Sequence, residues 1–200
     1  MFHKYQELNC LEQLRYLLLN WDDVQKLSEK LSYKIKKSGF EPDIIVAVSR
    51  GGFDPARIIS DQLNIRRIAS VQISYYTGVN TTLNEPKIIH PLNADVSNIR
   101  VLVVDDVADS GESLKLVKKY VNSFSPLLVK TATLHYKPWS IYRPDYFAEE
   151  VEDWIVYPWE YKETITNISK KLNENGSCIN ELKEKLIEIG FNEEQIDRYI

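Results

Sequence analysis

Three carboxylates and a small-residue turn follow one another within residues 101–113 in a pattern suited to a phosphorylated ligand that also carries hydroxyl groups. Asp105 and Asp106 directly follow a run of four apolar residues, and Asp109 comes three residues after Asp106. The segment Ser110–Ser113 predicts a turn into a helix whose first backbone N–H groups are free to bind phosphate. Carboxylates beside an anion site repel phosphate unless they face hydroxyls or a cation. The pattern therefore predicts a site for a sugar phosphate with bound Mg²⁺.

The turn itself supplies further groups for such a ligand. Ser110 and Ser113 offer hydroxyls for hydrogen bonds, and Gly111 lets the backbone approach a ligand closely. The alternative interpretation is an ordinary strand followed by an acid-capped helix. Three carboxylates together with the S-G-x-S turn favour the ligand site.

A second candidate anion site follows the apolar run at residues 43–49. Arg50, Gly51 and Gly52 come directly after that predicted strand. The two glycines permit unusual backbone geometry, and the guanidinium offsets the charge of a bound anion. Taken alone, the segment is also compatible with a plain strand-to-helix turn, but the acidic motif about fifty residues later favours the anion site.

Residues suited to a planar base lie downstream. Lys137 precedes Pro138, a P-D-Y element occupies residues 144–146, and W-I-V-Y-P-W occupies residues 154–159. An ammonium donates to an oxo group and does not accept from an amino group, and stacking of one base on an aromatic ring contributes roughly 1–3 kcal/mol. The alternative is that Lys137 is a solvated surface residue and that the tryptophans belong to the core, an interpretation we prefer for Trp159.

Together these segments resemble type I phosphoribosyltransferases, and among them the xanthine-guanine and hypoxanthine-guanine group. V-L-V-V-D-D-V-A-D-S-G-E-S is similar to the phosphoribosyl pyrophosphate signature, S-R-G-G to the pyrophosphate loop, and the K-P, P-D-Y and W-I-x-x-P-W elements to the base-binding end. Glu112 departs from the pattern, because many members carry glycine or another small residue there. The resemblance covers roughly residues 15–160.

The resemblance implies a Mg²⁺-dependent enzyme of purine salvage. It would transfer the 5-phosphoribosyl group from phosphoribosyl pyrophosphate to N9 of hypoxanthine, guanine or xanthine, releasing pyrophosphate and a nucleoside monophosphate. By resemblance, Asp109 handles the proton at the base, Lys137 donates to the oxygen at C6, Trp154 stacks on the ring, and the Ile155 backbone meets the C2 edge. The expected catalytic residues are Asp105, Asp106 and Asp109, with Asp106 at the metal. The expected phosphoribosyl pyrophosphate site comprises Arg50, Gly51, Gly52, Lys87, Asp105, Asp106, Ser110, Gly111, Glu112 and Ser113.

These residues must be positioned by an α/β fold. Apolar strands alternate with amphipathic helices, which predicts a mainly parallel central sheet flanked by helices. Residues 75–98 form a long polar connection, which we interpret as a lid that carries Lys87. Residues 163–200 are predicted to be a helical C-terminal extension, with two helices and a last short one, appended to a phosphoribosyltransferase domain at 1–162.

Composition restricts the remaining possibilities. The 200 residues are 44% hydrophobic and carry a formal net charge of −4, with a pI near 5.5. This balance lacks the basic excess typical of nucleic-acid or membrane partners. Two cysteines, without metal-ligand spacing, indicate a cytoplasmic protein with no disulfide scaffold. A homodimer or homotetramer is expected by resemblance only.

Three other interpretations remain open at this point. The first is a type I phosphoribosyltransferase for orotate, adenine or uracil, which Lys137 and Trp154 disfavour. The second is a nucleotide-sensing regulator on the same fold that has lost catalysis, which the retained carboxylates disfavour. The third is a purely structural α/β domain, which would leave three spaced motifs to coincidence.

Overall fold

The computed structural model describes residues 15–76, 85–174 and 179–200. Within these ranges strands and α-helices alternate as far as residue 68, and beyond it consecutive strands and consecutive helices interrupt the alternation. The strands are β1 (Tyr16–Leu18), β2 (Ile44–Ser49), β3 (Ile68–Tyr76), β4 (Glu85–His90), β5 (Arg100–Ala108), β6 (Leu128–Tyr136), β7 (Tyr146–Glu150) and β8 (Trp154–Val156). The helices are α1 (Trp21–Lys37), α2 (Phe53–Leu63), α3 (Glu112–Asn122), α4 (Tyr161–Glu174), α5 (Ile179–Ile189) and α6 (Glu193–Tyr199).

The chain divides into two compact units. The larger is formed by the described residues within 24–152, and the smaller by residues 15–23 with the described residues within 153–200. The larger unit holds a six-stranded sheet in the order β4-β3-β2-β5-β6-β7, in which every neighbouring pair is parallel except β3 and β4. A mainly parallel sheet flanked by helices is the predicted fold class. The predicted domain boundary between residues 162 and 163 stays a prediction.

The central strands are buried on both faces, which explains their unbroken apolar sequences. In β2, Ile44–Val48 are all nearly inaccessible to solvent, and so are Val101–Val104 of β5. Alternate residues of these strands pack with Leu114, Val117 and Val121 of α3, and the residues between them face the opposite side of the sheet. A strand covered on both faces needs apolar side chains at every position, not only at alternate positions.

The connection at residues 75–98 is more ordered than the sequence predicts. Residues 85–90 form β4, which pairs antiparallel with β3 along the edge of the sheet. Its burial alternates only weakly, because one edge and much of both faces meet solvent, and so the apolar pattern that usually reveals a strand is missing. The central residues of the predicted lid, 77–84, lie outside the described residues.

The smaller unit is held by a two-stranded parallel sheet and the C-terminal helices. β1 pairs with β8 in the register Tyr16 to Trp154. Val156 packs into a core with apolar residues of α4, α5 and α6, as the prediction of C-terminal helices requires; these include Ile165, Leu182, Leu186 and Ile196. Among the helices of the described ranges, none is long and apolar enough to cross a membrane.

Candidate active site

Strand β5 continues beyond its last pair with β2 and so carries two carboxylates past the paired part of β2. The last paired residues of these strands are Ala47 and Val104, whereas pairing of β5 with β6 continues as far as Ala108 and Tyr136. Asp105 and Asp106 were expected at the carboxyl end of this strand, but the strand continues beyond them to Ala108, because β6 continues to supply hydrogen-bond partners. A crevice beyond the carboxyl ends of parallel strands is where open sheets of this kind bind ligands.

The loop after β2 fills the side of this crevice next to the carboxylates. A Cβ atom added to Gly51 would overlap the Asp106 carboxylate, and one added to Gly52 would overlap the carbonyl oxygens of Val104 and Val48. Glycine at both positions therefore lets the loop come this close to the Asp106 carboxylate and to the two strands. The Ser49–Arg50 peptide bond is cis. Two motifs separated by about fifty residues in the sequence thus meet in space.

The paired carboxylates differ in their surroundings. Asp105 is only 8% exposed, and one of its oxygens accepts a hydrogen bond of 3.0 Å from the backbone N–H of Asp106. The Asp106 carboxylate accepts from the backbone N–H of Val107 at 2.8 Å. Burial, and secondarily the neighbouring Asp106 carboxylate, raise the pKa of Asp105 well above its usual range. The pair therefore favours a ligand that supplies hydroxyls or positive charge.

The predicted phosphate turn connects β5 to α3. Gly111 has a φ of +81° and directly precedes α3, so the turn requires glycine there. A Cβ atom at Gly111 would also overlap Ser140 and Tyr142, and the Ile141 N–H donates to the Ser110 carbonyl oxygen at 2.9 Å. The segment 140–142 therefore braces the turn.

The two serine side chains of the turn form hydrogen bonds within the protein. Ser110 Oγ accepts from the backbone N–H of Glu112 at 3.3 Å, and Ser113 Oγ lies 2.8 Å from the Tyr75 hydroxyl. Glu112 is the first residue of α3 and its side chain is exposed. The departure from the family pattern at Glu112 therefore places a carboxylate in solvent.

Lys137 and Asp109, the predicted base-contacting pair of the larger unit, are connected by a residue that the sequence analysis missed. Lys137 is only 5% exposed, although lysine is rarely buried. The indole N–H of Trp139 donates to Asp109 Oδ1 at 3.0 Å, and Lys137 Nζ lies 5.3 Å from the centre of the Trp139 ring. An aromatic residue directly after the K-P element was the available signal.

The other predicted base contacts belong to the smaller unit. Trp154 is 53% exposed on β8, whereas Ile155 is buried. The Trp154 ring borders a cavity of about 530 Å³ that is also lined by Tyr16, Thr164 and Ile168. The exposed indole face is available for stacking, and the buried Ile155 side chain leaves only its backbone as a binding group.

Two further sequence elements occupy different positions from the sugar-phosphate residues. Lys87 lies on β4 opposite Ser74 with an exposed side chain. Asp145 of the P-D-Y element accepts hydrogen bonds from the backbone N–H and the hydroxyl of Thr131 and from Lys130. These bonds lower the pKa of Asp145 although burial opposes them. Asp145 therefore braces β6, the strand that leads to Lys137.

Trp159 packs against other aromatic rings, in agreement with the structural role that we preferred for it. Its ring stacks on Tyr157 at a centroid distance of 4.7 Å and contacts Trp21 at 5.7 Å.

The donor set fits a magnesium ion that arrives with its substrate. Among the described residues no group of three or more His, Cys, Asp or Glu side chains forms a metal cluster. Mg²⁺ is commonly held by one or two carboxylates together with substrate phosphates. Asp105 and Asp106 supply such carboxylates beside the predicted pyrophosphate loop.

Comparisons with known proteins agree with this arrangement. The family model described as "Phosphoribosyl transferase domain" matches residues 18–165. A xanthine-guanine phosphoribosyltransferase of Gluconobacter oxydans is 30% identical over 153 residues, covering 74% of this chain and 87% of that protein. The crystal structure of a purine phosphoribosyltransferase from Pyrococcus horikoshii is 33% identical, with a TM-score of 0.65 and coverage of 73% and 94%. A xanthine-guanine-hypoxanthine phosphoribosyltransferase of Helicobacter pylori is 25% identical, with a TM-score of 0.66 and coverage of 78% and 99%.

Proposed function

The chain belongs to the phosphoribosyl transferase domain family, and from this premise we propose that it is a Mg²⁺-dependent purine salvage enzyme. It transfers the 5-phosphoribosyl group from phosphoribosyl pyrophosphate to N9 of a 6-oxopurine and releases pyrophosphate. The observation that carries the proposal is the contact of Gly51 with the Asp106 carboxylate. That contact supports the proposal because it lies between the predicted anion-binding loop and a carboxylate pair, the combination that a pyrophosphate joined to a ribose requires.

The proposed sugar site uses both carboxylates. Asp105 and Asp106 engage the ribose hydroxyls, with Asp106 also at the metal. Asp106 would hold Mg²⁺ together with the substrate, and the ion would neutralise charge on the leaving pyrophosphate. As the bond at the anomeric carbon lengthens, the sugar gains positive charge, and the carboxylates stabilise it because they are already fixed in place by backbone hydrogen bonds.

The two anionic ends of the substrate are proposed to occupy separate turns. The 5-phosphate binds the turn of Ser110, Gly111, Glu112 and Ser113, whose N–H groups open α3. The pyrophosphate binds the loop of Arg50, Gly51 and Gly52. Holding the anions apart aligns the leaving group with the attacking base. Lys87, whose side chain is exposed on β4, is proposed to meet the pyrophosphate from the lid side.

The proposed base site discriminates between oxo and amino groups at C6. The ammonium of Lys137 donates to an oxo group, and adenine offers only an amino donor at that position. Asp109 accepts the proton displaced as N9 becomes bonded to the sugar. Trp154 stacks on the base, and the Ile155 backbone meets its C2 edge. Support for these roles comes from the burial of Lys137 and the exposure of Trp154.

The decisive experiment measures pyrophosphate release with Mg²⁺ and phosphoribosyl pyrophosphate, offering hypoxanthine, guanine, xanthine, adenine, uracil and orotate in parallel. We expect turnover with at least one 6-oxopurine only, and omission of Mg²⁺ should abolish it. Turnover confined to adenine or a pyrimidine would retain the sugar site and overturn the base site. No turnover with any base would favour the regulatory interpretation. The same preparations would test the proposed homodimer or homotetramer by light scattering.

A further inference from the structure

Trp139 contacts both side chains to which the proposed function assigns the base. Its indole N–H donates to Asp109 Oδ1 at 3.0 Å, and its ring face lies 5.3 Å from Lys137 Nζ. Trp139 is nevertheless 55% exposed, so burial in the hydrophobic core does not account for its position. One side chain therefore connects a carboxylate and an ammonium that come from different segments of the chain.

The two contacts suit the chemistry of the groups that they hold. An indole N–H is a donor without an acceptor, so it fixes one carboxylate oxygen, cannot take the proton from it, and leaves the second oxygen for a ligand. The face of an indole attracts an ammonium without forming a hydrogen bond to it. The ring can therefore orient the Lys137 ammonium without taking a hydrogen bond from it.

The segment that carries Trp139 is itself anchored to the phosphate turn. The Ser140 N–H donates to the Lys137 carbonyl oxygen at 3.0 Å, and the Ile141 N–H donates to the Ser110 carbonyl oxygen at 2.9 Å. Gly111 packs against Ser140 so closely that a Cβ atom would overlap it. The segment that carries the indole is thus bonded to the same turn that would hold the 5-phosphate. These bonds fix the distance between the indole and the reacting sugar.

We propose that Trp139 is a positioning residue of the base site, holding Asp109 through its N–H and Lys137 through its ring. This inference rests on the proposed function. It separates two effects of one side chain: the N–H orients the proton acceptor and so affects kcat, whereas the ring orients the ammonium and so affects the KM of the base.

The kinetic test compares two substitutions at this position. Trp139→Phe keeps a ring over Lys137 and removes the N–H, and it should lower kcat about tenfold with the KM of the base within about twofold. Trp139→Leu removes both contacts and should in addition raise the KM of the base about fivefold. Trp21→Phe is the matched control, because Trp21 is also 55% exposed and lies outside the proposed site; it should leave both constants unchanged.

A double-mutant cycle and a spectroscopic signal decide whether Trp139 acts through Asp109. In an Asp109→Ala background, Trp139→Phe should cost no more than about twofold, because its partner is already absent. The indole ¹⁵N–¹H resonance of Trp139 should shift in Asp109→Ala but not in Asp61→Asn, a substitution on α2. An unshifted resonance, an undiminished kcat in Trp139→Phe, or the full loss in both backgrounds would each overturn the inference. Absence of wild-type turnover with every base would instead overturn the proposed function, with the resonance still reporting the contact.

Discussion

Backbone lines the sugar-phosphate region of the proposed site, whereas long side chains line its base region. Gly51, Gly52 and Gly111 each lie where a Cβ atom would overlap a neighbouring group. Lys137 and Trp139 instead reach their partners through extended side chains. A substitution in the first region disturbs tightly packed backbone and fixed carboxylates. A substitution in the second region removes a single contact. We therefore expect substitutions in the two regions to change different kinetic constants, and by different amounts.

The largest effect should come from removing the carboxylates of the sugar-phosphate region. Asp105→Asn together with Asp106→Asn should lower kcat at least about a thousandfold, because both charges that stabilise the cationic sugar are lost. The fold should persist, since the amides are nearly isosteric, and circular dichroism would check this. Asp61→Asn is the control. Near-normal turnover in the double variant would remove the assignment of the sugar site.

A smaller loss should follow from adding one carbon atom to the loop. Gly51→Ala places a methyl group where the Asp106 carboxylate lies, and we expect kcat/KM for phosphoribosyl pyrophosphate to fall about a hundredfold. Gly39→Ala is the matched control. Gly39 has no neighbouring atom within 4 Å but has a φ of +75°, so its replacement should cost about 1 kcal/mol of stability and no activity. Equal activity of the two variants would contradict the close-approach argument.

Lys137→Ala tests the base region by the ratio of two Michaelis constants. We expect the KM of the 6-oxopurine to rise about tenfold to a hundredfold, with that of phosphoribosyl pyrophosphate changed by less than about threefold, because only the base loses a charged donor. Lys119→Met, on the exposed side of α3, is the control. If both Michaelis constants rose together, Lys137 would not be a base contact and the two regions would not be separable.

The smallest effect concerns stability and depends on His135, two residues before Lys137. Burial lowers the pKa of His135 to about 4. Below pH 6.5 the His135 side chain is protonated in the unfolded chain. In the folded chain it stays neutral until the pH falls to about 4. Within that window the free energy of unfolding should therefore fall by about 1.4 kcal/mol per pH unit as the pH drops, and the contribution should be complete above pH 6.5.

Denaturant titrations across this pH window would measure that slope. His135→Gln should remove it, whereas His90→Gln, on exposed β4, should retain it. An unchanged slope in His135→Gln would place the acid sensitivity elsewhere. A changed slope with unaltered Michaelis constants would show that β6 supports the base region without sharing its binding role.

Much of the sugar-phosphate region was predictable because its residues are contiguous. Strand, carboxylates, glycine turn and helix start follow one another within residues 101–113, so local rules of hydrogen bonding and glycine conformation were sufficient to predict the turn. The predicted fold class was confirmed for the same reason, since unbroken apolar strands alternating with amphipathic helices identify a buried parallel sheet. The base region was less predictable: Trp139 directly follows the K-P element, but its contacts with Asp109 and Lys137 depend on tertiary structure.

The sequence by itself determined which short segments are candidates for phosphate binding, which strands are buried, and where the C-terminal helices lie. Only the tertiary structure decided that Gly51 lies against Asp106, that β4 completes the sheet edge, and that Trp139 bridges Asp109 and Lys137. The physical reason is that local backbone preferences depend on neighbours in the chain. Contacts between distant segments depend instead on strand order and on how far β5 extends beyond β2, which no single segment encodes.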